Sequence, residues 1–441
     1  MTTTEVPNIN FGGAEATRVR YWVIVFAVAL AVITFIDRVC MSFAAPFVSK
    51  DLGLNSVQMG YAFSAFAGAY ALFEIPGGYL GDLLGPRRVL MRIVIWWSAF
   101  TALTGAVWNV SSLVVVQALF GAGEAGCFPN LTKAFTVWLP RRERVRAQGI
   151  MWLAARWGGA FTPLVVYQVL RLVHFHWRPV FVLFGGVGII WATWFYRWYR
   201  EDPRQNLSVN AAELALLREN REMARGHRNI PWAKLLRAPQ VWLLCLQYFC
   251  CTYGWYFYIT WLPTYLRNAR HLELERSAIL GMLPLFLGGV GAFVSGVVSS
   301  RVNRWTGSTA KTRRLIAYVG FGGASAMLLL VTRLGNPLLA MVAMGFACFC
   351  NDLVMPQSWG ACMDIGRNYA GTLSGTMNMF GNLGGAVSPL VIGYLLRWTH
   401  SNWNVTFYVS AGVYALAILW WSLLDPVTPL EREEEPATVA A

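Results

Sequence analysis

Residues 21–46 read YWVIVFAVALAVITFIDRVCMSFAAP, an apolar run from Tyr21 to Pro46 with Asp37 and Arg38 side by side in its middle. A run of about 20 apolar residues is long enough to cross the bilayer core. A charge near the bilayer midplane costs about 2.5–3.5 kcal/mol on insertion scales. Such residues face a water-filled cavity or a partner and mark ion or substrate pathways. Neighbours on a helix point roughly 100° apart, so Asp37 and Arg38 face each other poorly and each needs a partner elsewhere. The plain alternative is a self-neutralising pair that only supports packing. Two charges in one apolar helix point instead to a transporter of a charged solute.

The rest of the chain repeats this pattern. Of 441 residues, 56% are hydrophobic and 13% charged, where a soluble protein carries about 25% charged residues. Mean hydropathy is +0.46. Backbone in lipid must satisfy its own hydrogen bonds, so the apolar windows are expected to be helices. Six spans are expected at 21–45, 58–80, 89–108, 111–137, 148–170 and 178–199. Six more follow at 240–266, 277–300, 314–333, 337–361, 370–396 and 403–424. This divides the chain into an N-terminal segment 1–20, a six-helix bundle 21–199, a central loop 200–238, a second bundle 239–424 and a tail 425–441. The run Asn210–Met223 reads as a surface helix and the acidic stretch from Glu431 as disordered.

The net charge of +14 does not imply a nucleic-acid partner. The excess arginine lies in short loops, and the groups at Arg18 and Arg20, Arg87 and Arg88, Arg141 to Arg146, the central loop and Arg301 to Arg314 share one side. By the positive-inside rule that side is cytoplasmic, with both termini. Two six-helix halves joined by a cytoplasmic loop suit a repeat-built secondary transporter. No GxxxxGK[ST] phosphate loop occurs, so an ion gradient is the expected driving force and no cofactor is expected. All 8 cysteines fall in or at the ends of spans, which suggests neither disulfides nor zinc. All 5 histidines lie in loops or at helix ends, so a proton relay must use carboxylates, and no Ser/His/Asp or metal constellation suggests an enzyme. No cleavable signal is apparent.

The second span ends Gly78-Tyr79-Leu80-Gly81-Asp82-Leu83-Leu84-Gly85-Pro86-Arg87-Arg88. Small residues let helices approach closely, and Asp82 can cap the next helix or pair with an arginine across the cytoplasmic face. The stretch resembles the GxxxD(R/K)xG(R/K)(R/K) loop of the major facilitator superfamily, with Leu83 in place of a basic residue and Pro86 before the arginine pair. The resemblance implies twelve transmembrane helices in two pseudo-symmetric six-helix bundles, an all-α membrane protein, and a conformational latch at Asp82, Arg87 and Arg88. The matching loop of the second half, Gly296 to Arg301, has Ser300 where the acid would sit, so its latch is expected to be weaker.

The fourth span contains Gly121-Ala122-Gly123-Glu124-Ala125-Gly126-Cys127-Phe128-Pro129, with Glu124 mid-membrane among small residues. A desolvated carboxyl can hold a proton near neutral pH. Asp37-Arg38, this GxxEAxxFP stretch, Trp177-Arg178 and Trp261-Leu262-Pro263-Thr264-Tyr265-Leu266 together resemble the anion:cation symporter family, over essentially the whole chain. That family includes galactonate and hexuronate transporters and is related to sialin and the vesicular glutamate transporters. The resemblance implies that Arg38 binds the substrate carboxylate, that Asp37 and Glu124 are protonation sites, and that Tyr70, Trp359, Asn378 and more weakly Asn382 contact substrate. It implies proton-coupled uptake of a small organic anion by a monomer in the bacterial inner membrane, without a metal.

The family has an arginine seven residues before the helix-4 glutamate; here that position is Gln117. Arg156, inside an apolar span, is a candidate to supply the missing charge and bind substrate; the alternative is an arginine snorkelling to the cytoplasmic face. Glu74 and Asp352 could each hold a second proton or pair with Arg156, and Asp364 reads as a latch or cap. Tyr253, Trp255, Tyr256 and Tyr258 suit a sugar-like ligand or simple packing. Two other functions stand beside uptake: an exporter, disfavoured by Gly158-Gly159-Ala160-Phe161-Thr162-Pro163 in helix 5, and a transporter-shaped sensor, for which no docking domain is visible.

Overall fold

The structure, a computed structural model, describes residues 15–54, 56–174, 176–217, 232–262, 265–266, 269–270 and 274–430. The acidic tail from Glu431, the latter part of the Asn210–Met223 run, His227, His271, Pro263 and Thr264 lie outside the described residues. In chain order the first half comprises α1 (Trp22–Leu52), α2 (Ser56–Leu84), α3 (Pro86–Thr104), α4 (Val110–Glu124), α5 (Cys127–Trp138), α6 (Arg141–Leu172) and α7 (Trp177–Trp198). Short helices α8 (Ala211–Leu216) and α9 (Trp232–Arg237) lie between the halves. The second half comprises α10 (Pro239–Thr260), α11 (Leu274–Thr306), α12 (Thr309–Val331), α13 (Pro337–Gly366), α14 (Ala370–Trp398) and α15 (Trp403–Leu423). With α4 and α5 as one broken span, these are twelve membrane-crossing elements.

Local chemistry starts these helices where the loops end. Asn109 and Ser112 form a reciprocal cap on α4, Asn336 caps α13 ahead of Pro337, and Ser308 caps α12; each side chain satisfies an otherwise orphaned N–H. Proline at the first turn of α3, α10 and α13 costs nothing there, because that N–H has no helical partner. Several helices outrun the expected spans: α1 continues to Leu52 and α11 to Thr306. Polar residues extend a helix into the interface, where water satisfies the side chains. Seven described stretches are apolar enough to cross a membrane by length and hydropathy alone, one of them holding both α13 and α14. Helices α2, α3, α6 and α10 fall short because they carry charged or aromatic residues, and three of them, α2, α6 and α10, build the centre described below. The outer surface is apolar, with Leu72, Trp108 and Trp194 strongly exposed, as lipid contact requires.

The packing pattern repeats. In the first half α1 packs on α6, α2 on α4, and α3 on α7; in the second α10 packs on α14, α11 on α13, and α12 on α15. The two halves meet along α2/α14 and α6/α11, seams that the same correspondence interchanges. Both seams are close backbone approaches. A Cβ at Gly78 would strike the Gly371 carbonyl, and one at Gly149 the Ala292 carbonyl. The contacts along them, Gly78–Gly371, Glu74–Gly375, Gly149–Gly296 and Trp157–Phe286, run from mid-membrane to the arginine-rich face.

Candidate functional site

The centre is built from α1, α2, α4, α6, α10, α13 and α14. Asp37 and Arg38 diverge from α1 as helix geometry demands. Arg38 Nε donates to Glu124 Oε1 of α4 at 2.5 Å, and its guanidinium lies 4.4 Å from the Tyr70 ring centroid. Phe35 and Phe66 flank it at 5.7 and 5.6 Å. The Arg38 side chain is 24% exposed although Glu124 is fully buried, so the arginine reaches open space from a dry anchor. Asp37 is buried, and among the described residues both its carboxylate oxygens lack a hydrogen-bond partner. Glu124 Oε2 is likewise unpartnered. Buried polar atoms are nearly always paired, and a proton on either carboxyl would lower the cost of these orphans.

The small residues around Glu124 serve helix packing. Gly121 meets the Phe66 carbonyl, and Gly126 meets the backbone of Gly77. The expected single span is broken directly after Glu124: Ala125 is extended, and Gly126 has φ +80°, a left-handed conformation suited to glycine. Gln117 sits two turns away against α3, its amide 3.3 Å from the Thr104 hydroxyl.

Across the seam, Asn378 of α14 donates to Glu74 at 2.7 Å and stands 3.5 Å from the Tyr70 hydroxyl. Asn382 accepts from the Tyr256 hydroxyl at 3.3 Å. Arg156 is buried and does not snorkel to the surface. Its Nε and Nη2 donate to Asp352 of α13 at 2.7 and 3.3 Å, and its guanidinium lies 4.0 Å over Trp255. The expectation that Arg156 compensates Asp37 and Glu124 is therefore corrected: its partner is Asp352, in the other half. Trp359 lies away from open space in this conformation: it is fully buried, packed on Trp152, with its indole N–H on Tyr248 at 3.0 Å.

On the arginine-rich face the latch has other partners than expected. Asp82 pairs with Lys133 of α5 at 3.2 Å and accepts the N–H groups of Gly371 and Thr372 at 3.1 and 2.6 Å, capping α14 of the opposite half. Arg87 donates to the Tyr196 carbonyl and Arg88 is exposed, so neither arginine meets Asp82. Asp364 bridges Arg141, Arg144 and Arg313. Lys133 had no warning in the sequence beyond being a lone cation late in an apolar span.

Residues 27–389 match the Major Facilitator Superfamily. The chain belongs to this superfamily. It is an integral membrane transporter, not an enzyme. A probable sulfoacetate transporter of Cupriavidus necator is 35% identical, over 92% of this chain and 94% of its own. A probable galactarate/D-glucarate transporter of Escherichia coli is 30% identical, over 93% and 94%. The hexuronate transporter of Bacillus subtilis is 28% identical, over 90% and 92%. Among solved structures, a proton:xylose symporter superposes with a TM-score of 0.72 at 13% identity, over 94% of this chain and 97% of that one. The fucose:proton symporter of E. coli gives 0.70 at 14%, over 92% and 99%. At such identity the two structures speak to the fold alone.

Proposed function

We propose that this chain is a secondary active transporter that takes up a small organic anion, a carboxylate or sulfonate, together with protons by alternating access. The observation that carries the reading is Arg38: a guanidinium held mid-membrane, partly open to the centre, on a single buried carboxylate. A planar guanidinium suits bidentate recognition of such anions. An arriving anion replaces Glu124 on Arg38, and a carboxylate released in a dry site is tolerated only as its neutral acid. Asp37, buried without a cation, is the neighbouring proton carrier. The proton gradient is the driving force and no cofactor is needed. The transporters of sulfoacetate, galactarate and hexuronate among the relatives support an organic anion. The arginine-rich face is then cytoplasmic, with both termini, in a bacterial inner membrane, and the protein works as a monomer.

The test is uptake into proteoliposomes of sulfoacetate, galactarate and hexuronate, with and without an inward proton gradient. Accumulation of one acid is expected to need the gradient and to fall roughly 100-fold in Arg38→Ala, the scale of a lost charge-assisted pair. Gradient-driven uptake that survives Arg38→Ala would remove Arg38 from the site. Binding without accumulation would make the protein a sensor, and proton-driven extrusion an exporter.

A further inference from the structure

The centre holds two guanidinium groups, Arg38 from α1 and Arg156 from α6, joined by a short chain of contacts. Arg38 lies on Tyr70, Tyr70 meets Asn378, and Asn382 one turn on accepts from Tyr256. The Tyr256 ring stands 5.4 Å from Trp255, which lies under Arg156. Each is covered by one protein carboxylate: Arg38 by Glu124 at 2.5 Å, Arg156 by Asp352 at 2.7 Å. The bonds to Asp352 use Nε and Nη2 and leave Nη1 of Arg156 over. The covers differ in origin. Glu124 belongs to the same half as Arg38, whereas Asp352 comes from the half opposite Arg156.

We infer that the transported solute is a dianion, one acidic group replacing Glu124 on Arg38 and the other replacing Asp352 on Arg156. The inference rests on the reading of Arg38 as the anion site and names the substrate class of that site. A monoanion can uncover only one arginine and leaves the other on its own carboxylate. A solute with an acid at each end satisfies both forks, and by taking Arg156 it also detaches α13 from α6. Filling the site and loosening the halves then become one event. Arg156 is in this view a specificity residue: it counts the charges on the solute.

The experiment is equilibrium binding to the purified full-length protein in two matched pairs. One pair is galactarate against galacturonate, the same six-carbon skeleton with an aldehyde in place of one carboxylate. The other is sulfoacetate against its carboxyl methyl ester. In one pair the dianion is expected to bind at least about tenfold tighter, the scale of one further charge-assisted contact. Arg156→Gln combined with Asp352→Asn removes both charges together and leaves no orphaned ion. This variant should bring the ratio to about one while the monoanion binds within about threefold of wild type. Arg38→Gln should weaken both members of the pair. Equal binding of dianion and monoanion to the wild type, or a preference that survives in the double variant, overturns the dianion inference and leaves the anion reading intact. A folded wild type that binds no member of either pair removes the Arg38 anion site, and the inference with it.

Discussion

After α7 the first half runs into Glu201-Asp202-Pro203, and after α15 the second runs into Asp425-Pro426. The same kind of turn is used in two ways. Glu201 folds under Gly85, where no Cβ fits, and accepts the Arg87 N–H at 2.8 Å. That holds the α2–α3 turn, from which Asp82 crosses to α14. Asp425 stays on its own turn, accepting from the N–H groups of Val427 and Thr428 at 3.1 and 3.3 Å. In the second half Ser300 is exposed and, among the described residues, bonds the Val297 carbonyl of its own helix alone. The fastening there has passed to Asp364, which joins Arg141 and Arg144 of the first half to Arg313 of its own. Backbone pseudo-symmetry therefore does not carry its charges with it: the acid missing from α11 has its counterpart at the end of α13.

The largest test of this difference is Asp82→Asn. It strips Lys133 of its carboxylate in a buried place and weakens the cap on α14, together about 3 kcal/mol. Spin labels at Arg88→Cys and Lys311→Cys, both exposed on the arginine-rich face, should report a longer separation, and uptake should fall at least tenfold. An unchanged distance distribution would mean that Asp364 alone holds that face shut.

A smaller effect separates the two turns by pH. Burial pushes the Glu201 carboxyl up to about 7, against the pull of the Arg87 N–H bond and of the Lys133, Arg87 and Arg88 charges. Its contribution to stability is thus full below the unfolded pKa of about 4.3 and is lost as pH rises through about 7. For Asp425, burial is outweighed by hydrogen bonds from Thr428 and Val427 and by the Arg314 charge, so its carboxyl lies below the usual range. Its contribution is present above the unfolded value of about 3.9 and is lost only as pH falls. Melting temperature measured from pH 5 to 8 should decline in wild type and flatten in Glu201→Gln, by on the order of 1 kcal/mol across the range. Asp425→Asn should leave the slope unchanged. A slope that persists in Glu201→Gln would place the titration elsewhere.

The smallest expected effect is that of Ser300→Asp, which restores the acid that the second half lacks. The position is exposed, so stability should move by no more than about 0.5 kcal/mol, and the label separation should not shorten. A clear shortening would show that position 300 alone sets the asymmetry.

The residues of the centre were legible because a charge in an apolar span has few reasons to be there. Asp37, Arg38, Glu124, Glu74, Arg156 and Asp352 all stand out on that ground. Their pairings were not legible. Glu124 lies 86 positions from Arg38 and Asp352 196 from Arg156, and only the tertiary fold, with α1 beside the α4–α5 break and α6 on α13, brings them together. Trp359 matched a family position, but the tilted contact it makes with Trp152 depends on how the halves meet. The break at Ala125-Gly126 was hidden in an unbroken apolar window, where a single left-handed glycine leaves hydropathy unchanged. Lys133 escaped because Asp82 was read as a helix cap or the partner of an arginine.

The glycine seams have a mechanical consequence. Where α2 meets α14 and α6 meets α11, the surfaces in contact are peptide backbones, without interlocked side chains at Gly78–Gly371 or Gly149–Gly296. Ridges and grooves resist sliding because knobs must leave their holes; two bare backbones have no knobs to withdraw. In the alternating access proposed above, these seams would work as plain bearings with little friction, and even a methyl group at Gly78 or Gly149 would act as grit.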